Sequence, residues 1–161
     1  MTPTSTIASR PSSAQCEDIL ARARSLARRS DLAVTGRSLR GRRIGMLCRP
    51  DTESAVLLRD AAEALGAKVA AVGPMWEGID DEGEARRTAS VIGRFYDAVE
   101  CEGMPAHLSE AFRGSCPAIV FEGLASGDHP IARLADRLNG GIPLRERQRL
   151  VVQGALLTML C

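Results

Sequence analysis

Short apolar runs that alternate with helical patterns constrain the fold of this chain more than any other feature. Four runs have the length of buried strands: "RRIGMLC", "KVAAV", "DAVEC" and "PAIVF". Between them, apolar residues recur at helical spacing. Strands that alternate with helices predict right-handed crossovers and a parallel sheet covered on both faces. The predicted fold is a single α/β three-layer sandwich with a four-stranded parallel sheet, its strands at 44–47, 69–72, 98–100 and 118–120.

The length of the chain, 161 residues, is usual for one domain with one core. Residues 1–15, "MTPTSTIASRPSSAQ", are rich in Ser, Thr and Pro and are predicted to form a disordered N-terminal lead-in. Residues 16–161 are predicted to form the single domain. Its last segment, 143–160, opens with Pro143 and becomes strongly apolar, so we expect a C-terminal helix that closes the core.

The overall charge is nearly balanced, with 21 basic and 20 acidic residues, and it implies no polyanionic partner. Segment 22–43 is nevertheless rich in arginine, with Asp31 as its only acid. Such a segment can contact nucleic acid or an acidic protein. No aromatic residues interleave with the arginines to stack on bases, which favours a solvated helix face and makes nucleic acid an unexpected partner.

The cysteines indicate reduced thiols in a cytoplasmic protein. The chain has five cysteines, widely spaced and without a C-x-x-C pair, which favours neither a disulfide framework nor a zinc site. No segment approaches the roughly 20 apolar residues of a membrane span, so no membrane partner is expected. Glycines are too sparse for a dinucleotide site, and we expect neither a cofactor nor a metal.

The turn after the first strand has the form of an anion site but carries acidic residues. A helix is predicted from Thr52 to about Leu65, with Asp51 as its N-cap and Gly66 as its C-cap. Ligands of parallel α/β sheets collect beyond the carboxyl ends of the strands, and helix N-termini attract anions. Asp51 and Glu53 stand at this point, where an anion would otherwise bind.

Three ordered segments carry a resemblance to a known family. They are "LRGRRIGMLCRPDTESAVLLRDAAEALGAKVAAVGP", "TASVIGRFYDAVECEG" and "GLASGDHPIARLADRL". Together they resemble the carbamoyl-phosphate-binding (N-terminal) domain of the ornithine and aspartate carbamoyltransferases, from about residue 18 to 138. The resemblance implies the α/β sandwich that the alternation of strands and helices also predicts.

The resemblance places the family's ligand residues on a degenerate set in this chain. In the family a Ser-Thr-Arg-Thr-Arg turn wraps the phosphate of carbamoyl phosphate, and its serine and first arginine fall at Asp51 and Glu53. Thr52 is kept, and Ser54 replaces the second threonine. A further phosphate-binding arginine falls at Glu102. Of the family's His-Pro-Thr-Gln motif, which holds the carbamoyl group, His129 and the following proline remain.

These substitutions predict that carbamoyl phosphate does not bind in the family manner. Two unit charges about 4 Å apart interact by roughly 4 kcal/mol at an effective dielectric near 20, and an arginine-to-glutamate change reverses the sign of that energy. The carboxylates suit the positive end of the helix dipole, by about 0.3–1 kcal/mol each. Ordinary helix capping in a site already lost explains them as well as any positive function does.

The resemblance also implies that a second domain is missing between two segments of this chain. Family enzymes carry an amino-acid-binding domain, followed by a helix that returns to the first domain. Here "LADRL" continues through "NGGIP", residues 139–143, into a segment that resembles the returning helix. The expected result is a foldable remnant without an amino-acid site.

Loop residues Met75 and Trp76 suggest an interface. Their family counterpart reaches into a neighbouring subunit of a trimer, and apolar side chains on a polar loop are otherwise hard to bury. We therefore expect a homo-oligomer, most simply a trimer, with Met75 and Trp76 at the contact.

Two classes of function remain open. The first is a catalytically inactive carbamoyltransferase-like protein, a pseudoenzyme, that acts through self-association or a protein partner. The alternative is an enzyme, which the resemblance would make a carbamoyltransferase-like transferase, or a small-ligand-binding protein. It would use the remodelled pocket around Asp51, Glu53, Glu102 and His129 for a ligand that the reversed charges suggest is cationic.

Overall fold

A four-stranded parallel sheet forms the centre of the computed structural model, which describes residues 10–29 and 37–161. The strands are β1 (Arg43–Met46), β2 (Lys68–Ala71), β3 (Ala98–Glu100) and β4 (Ile119–Phe121), in the spatial order β2-β1-β3-β4. All three pairings are parallel, as the alternation of apolar runs and helical patterns predicted.

The register of the sheet brings the ends of all four strands to one edge. Ile44 pairs with Val69 on one side and with Ala98 on the other, and Ala98 pairs with Ile119. The segments that leave the carboxyl ends of the strands therefore meet at this edge, which we call the carboxyl edge. It positions every candidate site described below.

Within residues 10–29 and 37–161, five α-helices cover the sheet. They are α1 (Ser13–Arg28), α2 (Glu53–Ala64), α3 (Glu82–Ile92), α4 (Ala106–Ser115) and α5 (Leu144–Leu160), with 3₁₀ helices at Met75–Gly78 and Pro130–Arg137. One hydrophobic cluster joins the sheet to α1, α2, α5 and Pro130–Arg137, and a second joins it to α3 and α4. The two clusters occupy opposite sides of the sheet and give the three-layer architecture.

Two expected boundaries differ in the structure. Helix α1 begins at Ser13, because the Ser12 hydroxyl accepts a hydrogen bond from the Gln15 N–H and the Gln15 side chain accepts one from the Ser12 N–H. Residues 13–15 therefore belong to the helix and not to the lead-in, of which residues 1–9 lie outside the described part of the chain. The segment expected as a helix near residues 130–138 is a 3₁₀ helix.

Helix α5 packs against both α1 and α2. Gly154 permits a close crossing with α1, since a Cβ at this position would lie 2.5 Å from the Ile19 carbonyl oxygen. Residues 139–143 connect Pro130–Arg137 to α5 through a turn in which the Ile142 N–H donates to the Asn139 carbonyl at 3.0 Å. No described helix combines the length and the apolar character that crossing a membrane requires.

Candidate functional site

The turn between β1 and α2 is capped by Thr52, one residue later than predicted. The Thr52 hydroxyl accepts a hydrogen bond from the Ala55 N–H at 3.1 Å, and Glu53 is the first residue of the helix. Asp51 is exposed and precedes the cap. The prediction that Asp51 caps this helix was wrong, because the helix starts at the position where the threonine hydroxyl, and not the aspartate carboxylate, reaches the third N–H.

Three of the predicted site residues come together at the carboxyl edge. The Ser54 hydroxyl donates a hydrogen bond to Glu102 Oε2 at 2.5 Å, and the Thr52 hydroxyl lies 3.3 Å from that of Ser54. Glu102 lies two residues after the end of β3. The degenerate turn and the end of β3 are thus joined by a hydroxyl–carboxylate contact.

A hollow of about 340 Å³ lies beside this contact. Its walls combine the β1–α2 turn, the Trp76 loop and the end of β3; they are Cys48, Arg49, Thr52, Pro74, Trp76, Glu77, Glu102 and Gly103. Arg49 is its one basic residue, and its guanidinium lies 3.5 Å from Glu77 in an exposed ion pair. An anion in this hollow would meet two carboxylates and an arginine that already has a partner.

A second cleft, of about 380 Å³, opens beyond β3 and β4 and is the acidic cleft. Its lining includes Glu102, Glu122, Asp128 and His129 but no lysine or arginine. Glu122 accepts a hydrogen bond from the Ser109 hydroxyl at 2.5 Å, and Arg113 approaches it from outside the lining at 3.8 Å. The carboxylates give this cleft a negative field.

His129 lies at the wall of the acidic cleft as a neutral, buried side chain. Its Nδ1 accepts a hydrogen bond from the Ile131 N–H at 3.2 Å, so the ring proton resides on Nε2. Burial lowers the pKa of His129. Nε2 is buried and has no hydrogen-bond partner among the described residues. The first role of this histidine is therefore to cap the 3₁₀ helix that follows it.

Glu100, which sequence reasoning missed, anchors the floor of the carboxyl edge. This side chain is 2 % exposed and accepts hydrogen bonds from the N–H groups of Gly123 and Leu124 at 2.6 and 3.0 Å. Burial raises the pKa of Glu100 to about 7, while the two N–H donors oppose the rise. The sequence feature that could have indicated this role is an acidic residue at the end of an otherwise apolar strand.

A third cleft, of about 310 Å³, lies between α2, the turn after β4 and α5, and we call it the α2–α5 cleft. It is lined by Glu53, Ser54, Leu57, Leu124, Ala125, Ser126, Gly127, Ile131, Ala132, Arg145, Gln148, Val151 and Val152. Sequence reasoning did not find it, because its walls come from segments far apart in the chain. Glu53 and Glu102 were predicted to share one pocket. In the structure Glu53 lines the α2–α5 cleft, whereas Glu102 lines the hollow near Trp76 and the acidic cleft.

Met75 and Trp76, predicted at an interface, differ in burial. Met75 is 38 % exposed. Trp76 is half-buried and packs against both main hydrophobic clusters of its own chain. Packing within its own chain therefore accounts for much of the burial of Trp76, while Met75 remains accessible to solvent.

The described residues provide no metal centre, and two of their cysteines are buried and poor nucleophiles. They contain no group of three or more His, Cys, Asp or Glu side chains arranged to hold a metal ion. Cys48 and Cys101 are buried, and burial raises the pKa of Cys48 to about 12 and that of Cys101 further. Both thiols are protonated at neutral pH.

Sequence comparison finds relatives that are ornithine carbamoyltransferases. The chain is 32% identical over 106 residues to the catabolic ornithine carbamoyltransferase of Malacoplasma penetrans, covering 65% of this chain and 31% of the relative. It is 29% identical over 128 residues to catabolic ornithine carbamoyltransferase 1 of Streptococcus agalactiae, covering 79% of this chain and 39% of the relative. The chain thus spans less than half the length of these relatives. No protein-family model matches it.

Solved structures share the fold at lower identity. The catalytic subunit of aspartate transcarbamoylase from M. jannaschii superposes with a TM-score of 0.64 at 18% identity, covering 80% of this chain and 44% of that one. The anabolic ornithine carbamoyltransferase of Campylobacter jejuni gives a TM-score of 0.62 at 19% identity, with coverages of 80% and 41%. These values establish a common α/β architecture.

Proposed function

Because the homologues of this chain are ornithine carbamoyltransferases, we propose that it is a carbamoyltransferase-like pseudoenzyme in the cytoplasm. In this proposal it lacks carbamoyl transfer and acts by associating with itself or with a protein partner. The proposal concerns the described domain, which corresponds to part of each relative.

The contact between Ser54 and Glu102 is the observation that carries the proposal. The resemblance puts a phosphate-binding arginine at the position of Glu102, and here a carboxylate occupies that place and holds a hydroxyl of the degenerate turn. Replacing a cation by an anion about 4 Å from a phosphate changes the interaction by roughly 8 kcal/mol at an effective dielectric near 20. Such a change exceeds the roughly 5.5 kcal/mol of a ten-thousandfold difference in affinity.

The surroundings support the same conclusion. Among the described residues, Arg49 is the one basic residue of the neighbouring hollow, and it forms an exposed ion pair with Glu77. Residues 139–143 lead directly from Pro130–Arg137 into α5, where the resemblance would place an amino-acid-binding domain. Neither the anion nor the amino acid of a carbamoyl transfer then has its family site.

Calorimetry and product analysis test this proposal. We expect no heat from titration with carbamoyl phosphate at millimolar concentration, and no citrulline or carbamoyl-aspartate after incubation with ornithine or aspartate. A relative with full activity serves as the positive control. Turnover with either amino acid would refute the proposal.

The acidic cleft favours a second candidate function, the binding of a small cation. Glu102, Glu122 and Asp128 line it with no lysine or arginine among the described residues, although Asp51 and Glu53, which were expected to contribute, do not. Methylguanidinium and its neutral isostere N-methylurea form a matched pair of probes for nuclear magnetic resonance. Shifts at Gly103 and Ser126 with the cation alone would support this function, and equal shifts with both would argue against it.

A further inference from the structure

The edge of the sheet opposite the carboxyl edge, where the chain enters the four strands, is the amino edge. Its segments, 37–43, 66–68, 93–97 and 116–118, lead into or begin β1, β2, β3 and β4. They carry one acidic residue, Asp97, and six exposed basic residues, Arg37, Arg40, Arg42, Arg43, Lys68 and Arg94. The near balance of charge over the whole chain therefore conceals a basic amino edge opposite the acidic cleft.

The hydrogen bonds of Asp97 hold two of these segments side by side. Asp97 accepts a hydrogen bond from the Arg43 N–H at 2.8 Å and forms an ion pair with Arg42 at 3.4 Å. The Asp97 N–H in turn donates to the Arg43 carbonyl at 2.8 Å. Arg43 also lies beside Lys68, its partner in the register of β1 and β2. The basic residues of three segments therefore lie on one surface.

An aromatic side chain lies exposed on this surface. Phe95 is 59 % exposed, whereas the other two phenylalanines of the chain are each 1 % exposed. The neighbouring Tyr96 packs over β1, since a Cβ at Gly45 would lie 2.9 Å from its ring. Val91, in the last turn of α3, is also 59 % exposed. Segment 22–43 contains no aromatic residue, so only the fold brings an aromatic side chain to its arginines.

Basic residues around exposed apolar side chains are complementary to an acidic segment that also carries an aromatic or aliphatic residue. Arginine and aromatic residues are both enriched at protein–protein interfaces, and arginine forms paired hydrogen bonds with carboxylates. Nucleic acid fits this surface less well, because single strands stack successive bases on several aromatic side chains. Phe95 is the one exposed aromatic residue in the described part of the amino edge.

We propose that the amino edge is the docking surface for an acidic segment of a protein partner. The carboxylates of this segment pair with the exposed arginines, and its apolar residue packs against Phe95 and Val91. The inference names the chemistry of the protein partner in the proposed function and rests on that function. The surface is separate from the Ser54–Glu102 contact and from the three clefts, since none of their lining residues lies at the amino edge.

Three probes separate the contributions of charge, apolar contact and polymer class. They are poly-L-glutamate, a glutamate–tyrosine copolymer of the same length, and oligothymidylate, each labelled with a fluorophore for anisotropy. We expect the copolymer to bind about tenfold more tightly than poly-L-glutamate, because its rings add apolar contacts, and more tightly than oligothymidylate. Raising the salt concentration from about 50 to about 200 mM should weaken copolymer binding by about tenfold, since the basic residues are exposed.

Two variants test the two parts of the surface. The double variant Arg40→Gln/Arg94→Gln should weaken poly-L-glutamate and the copolymer alike, by about tenfold. Phe95→Ser should weaken the copolymer by about fivefold and leave poly-L-glutamate unchanged. Arg133→Gln and Leu144→Ser are the matched controls, at exposed positions away from the amino edge, and should leave all affinities unchanged. Thermal unfolding verifies that every variant folds.

Several outcomes would overturn the proposal. Absence of copolymer binding at low salt would do so, as would equal losses in the variants and their controls. Tighter binding of oligothymidylate than of the copolymer would indicate a nucleic-acid surface instead. A lower light-scattering mass of Arg40→Gln/Arg94→Gln than of the wild type would show that a second copy of the chain occupies the amino edge. Carbamoyl phosphate, ornithine and aspartate do not enter these titrations, so failed binding would leave the absence of carbamoyl transfer standing.

Discussion

At the scale of single residues, the Glu102 carboxylate lowers the affinity of the carboxyl edge for anions. Glu102 contacts Ser54 and lines both the hollow near Trp76 and the acidic cleft. Glu102→Arg should therefore allow calorimetry to detect carbamoyl phosphate binding at millimolar concentration, where the wild type should give no heat. Glu63→Arg makes the same charge change at an exposed position of α2 and should have no effect. Calorimetry compares the two, and equal affinities would contradict the role given to Glu102.

Glu100 should make the stability of the fold depend on pH. Its pKa is raised from 4.5 to about 7, so the folded chain binds a proton more tightly than the unfolded chain. This contribution to the free energy of unfolding is fully present below pH 4.5. It is lost as the pH rises to about 7, by up to about 3 kcal/mol.

The variant Glu100→Gln isolates this contribution. His129 acts in the opposite direction, because its lowered pKa reduces stability as the pH falls, and so the difference between wild type and variant is the useful quantity. Urea unfolding at pH 5 and pH 7.5 should show wild-type stability falling relative to the variant as the pH rises. A constant difference would mean that Glu100 titrates normally.

Sequence reasoning located residues at the carboxyl edge but not their contacts. Thr52, Ser54 and Glu102 were predicted to share a pocket, and the structure brings them together. Asp51 and Thr52 are both good N-cap residues and are adjacent in the chain. The sequence therefore does not show whether the helix begins at residue 52 or at residue 53, and this decides which of the two is the cap. Glu100 was missed because an acid at the end of an apolar run looks like the start of a loop.

At the scale of elements, the crossing of α1 and α5 depends on the absence of one side chain. Gly154→Ala should destabilise the fold by about 1–3 kcal/mol, because the new Cβ would lie 2.5 Å from the Ile19 carbonyl oxygen. Gly114→Ala in α4 meets nothing within 4 Å and should be neutral or stabilising by up to about 1 kcal/mol. Chemical denaturation of both variants checks this; equal midpoints would mean that the helices separate at no cost.

The four short apolar runs predicted each strand to within one residue at either end. For the inner strands β1 and β3 they did so because a parallel strand buried on both faces must be apolar on both. The 3₁₀ form of Pro130–Arg137 and the α2–α5 cleft did not follow from any local pattern. Both depend on how α5 packs against earlier elements, and spacing along one segment carries no information about such packing.

At the scale of the whole molecule, we expect self-association. Light scattering at tens of micromolar protein should report about three times the mass of one chain. Met75 is accessible, and Met75→Glu should lower that mass if its loop lies at the contact. Val91→Glu, at an exposed apolar position on α3, is the control and should leave the mass unchanged. A monomeric wild-type chain would rule out self-association, and the function would then require a different protein partner.

The packing of α1 against α5 joins elements at opposite ends of the described chain, and this affects how the protein folds during synthesis. Ile19, Leu20 and Ala23 are made early, yet they are buried only when α5 arrives to cover them. Contacts between such distant segments form late, because the intervening loop must close first. A nascent chain whose α5 has not yet left the ribosome therefore exposes an apolar face of α1, and the core closes only when α5 packs against it.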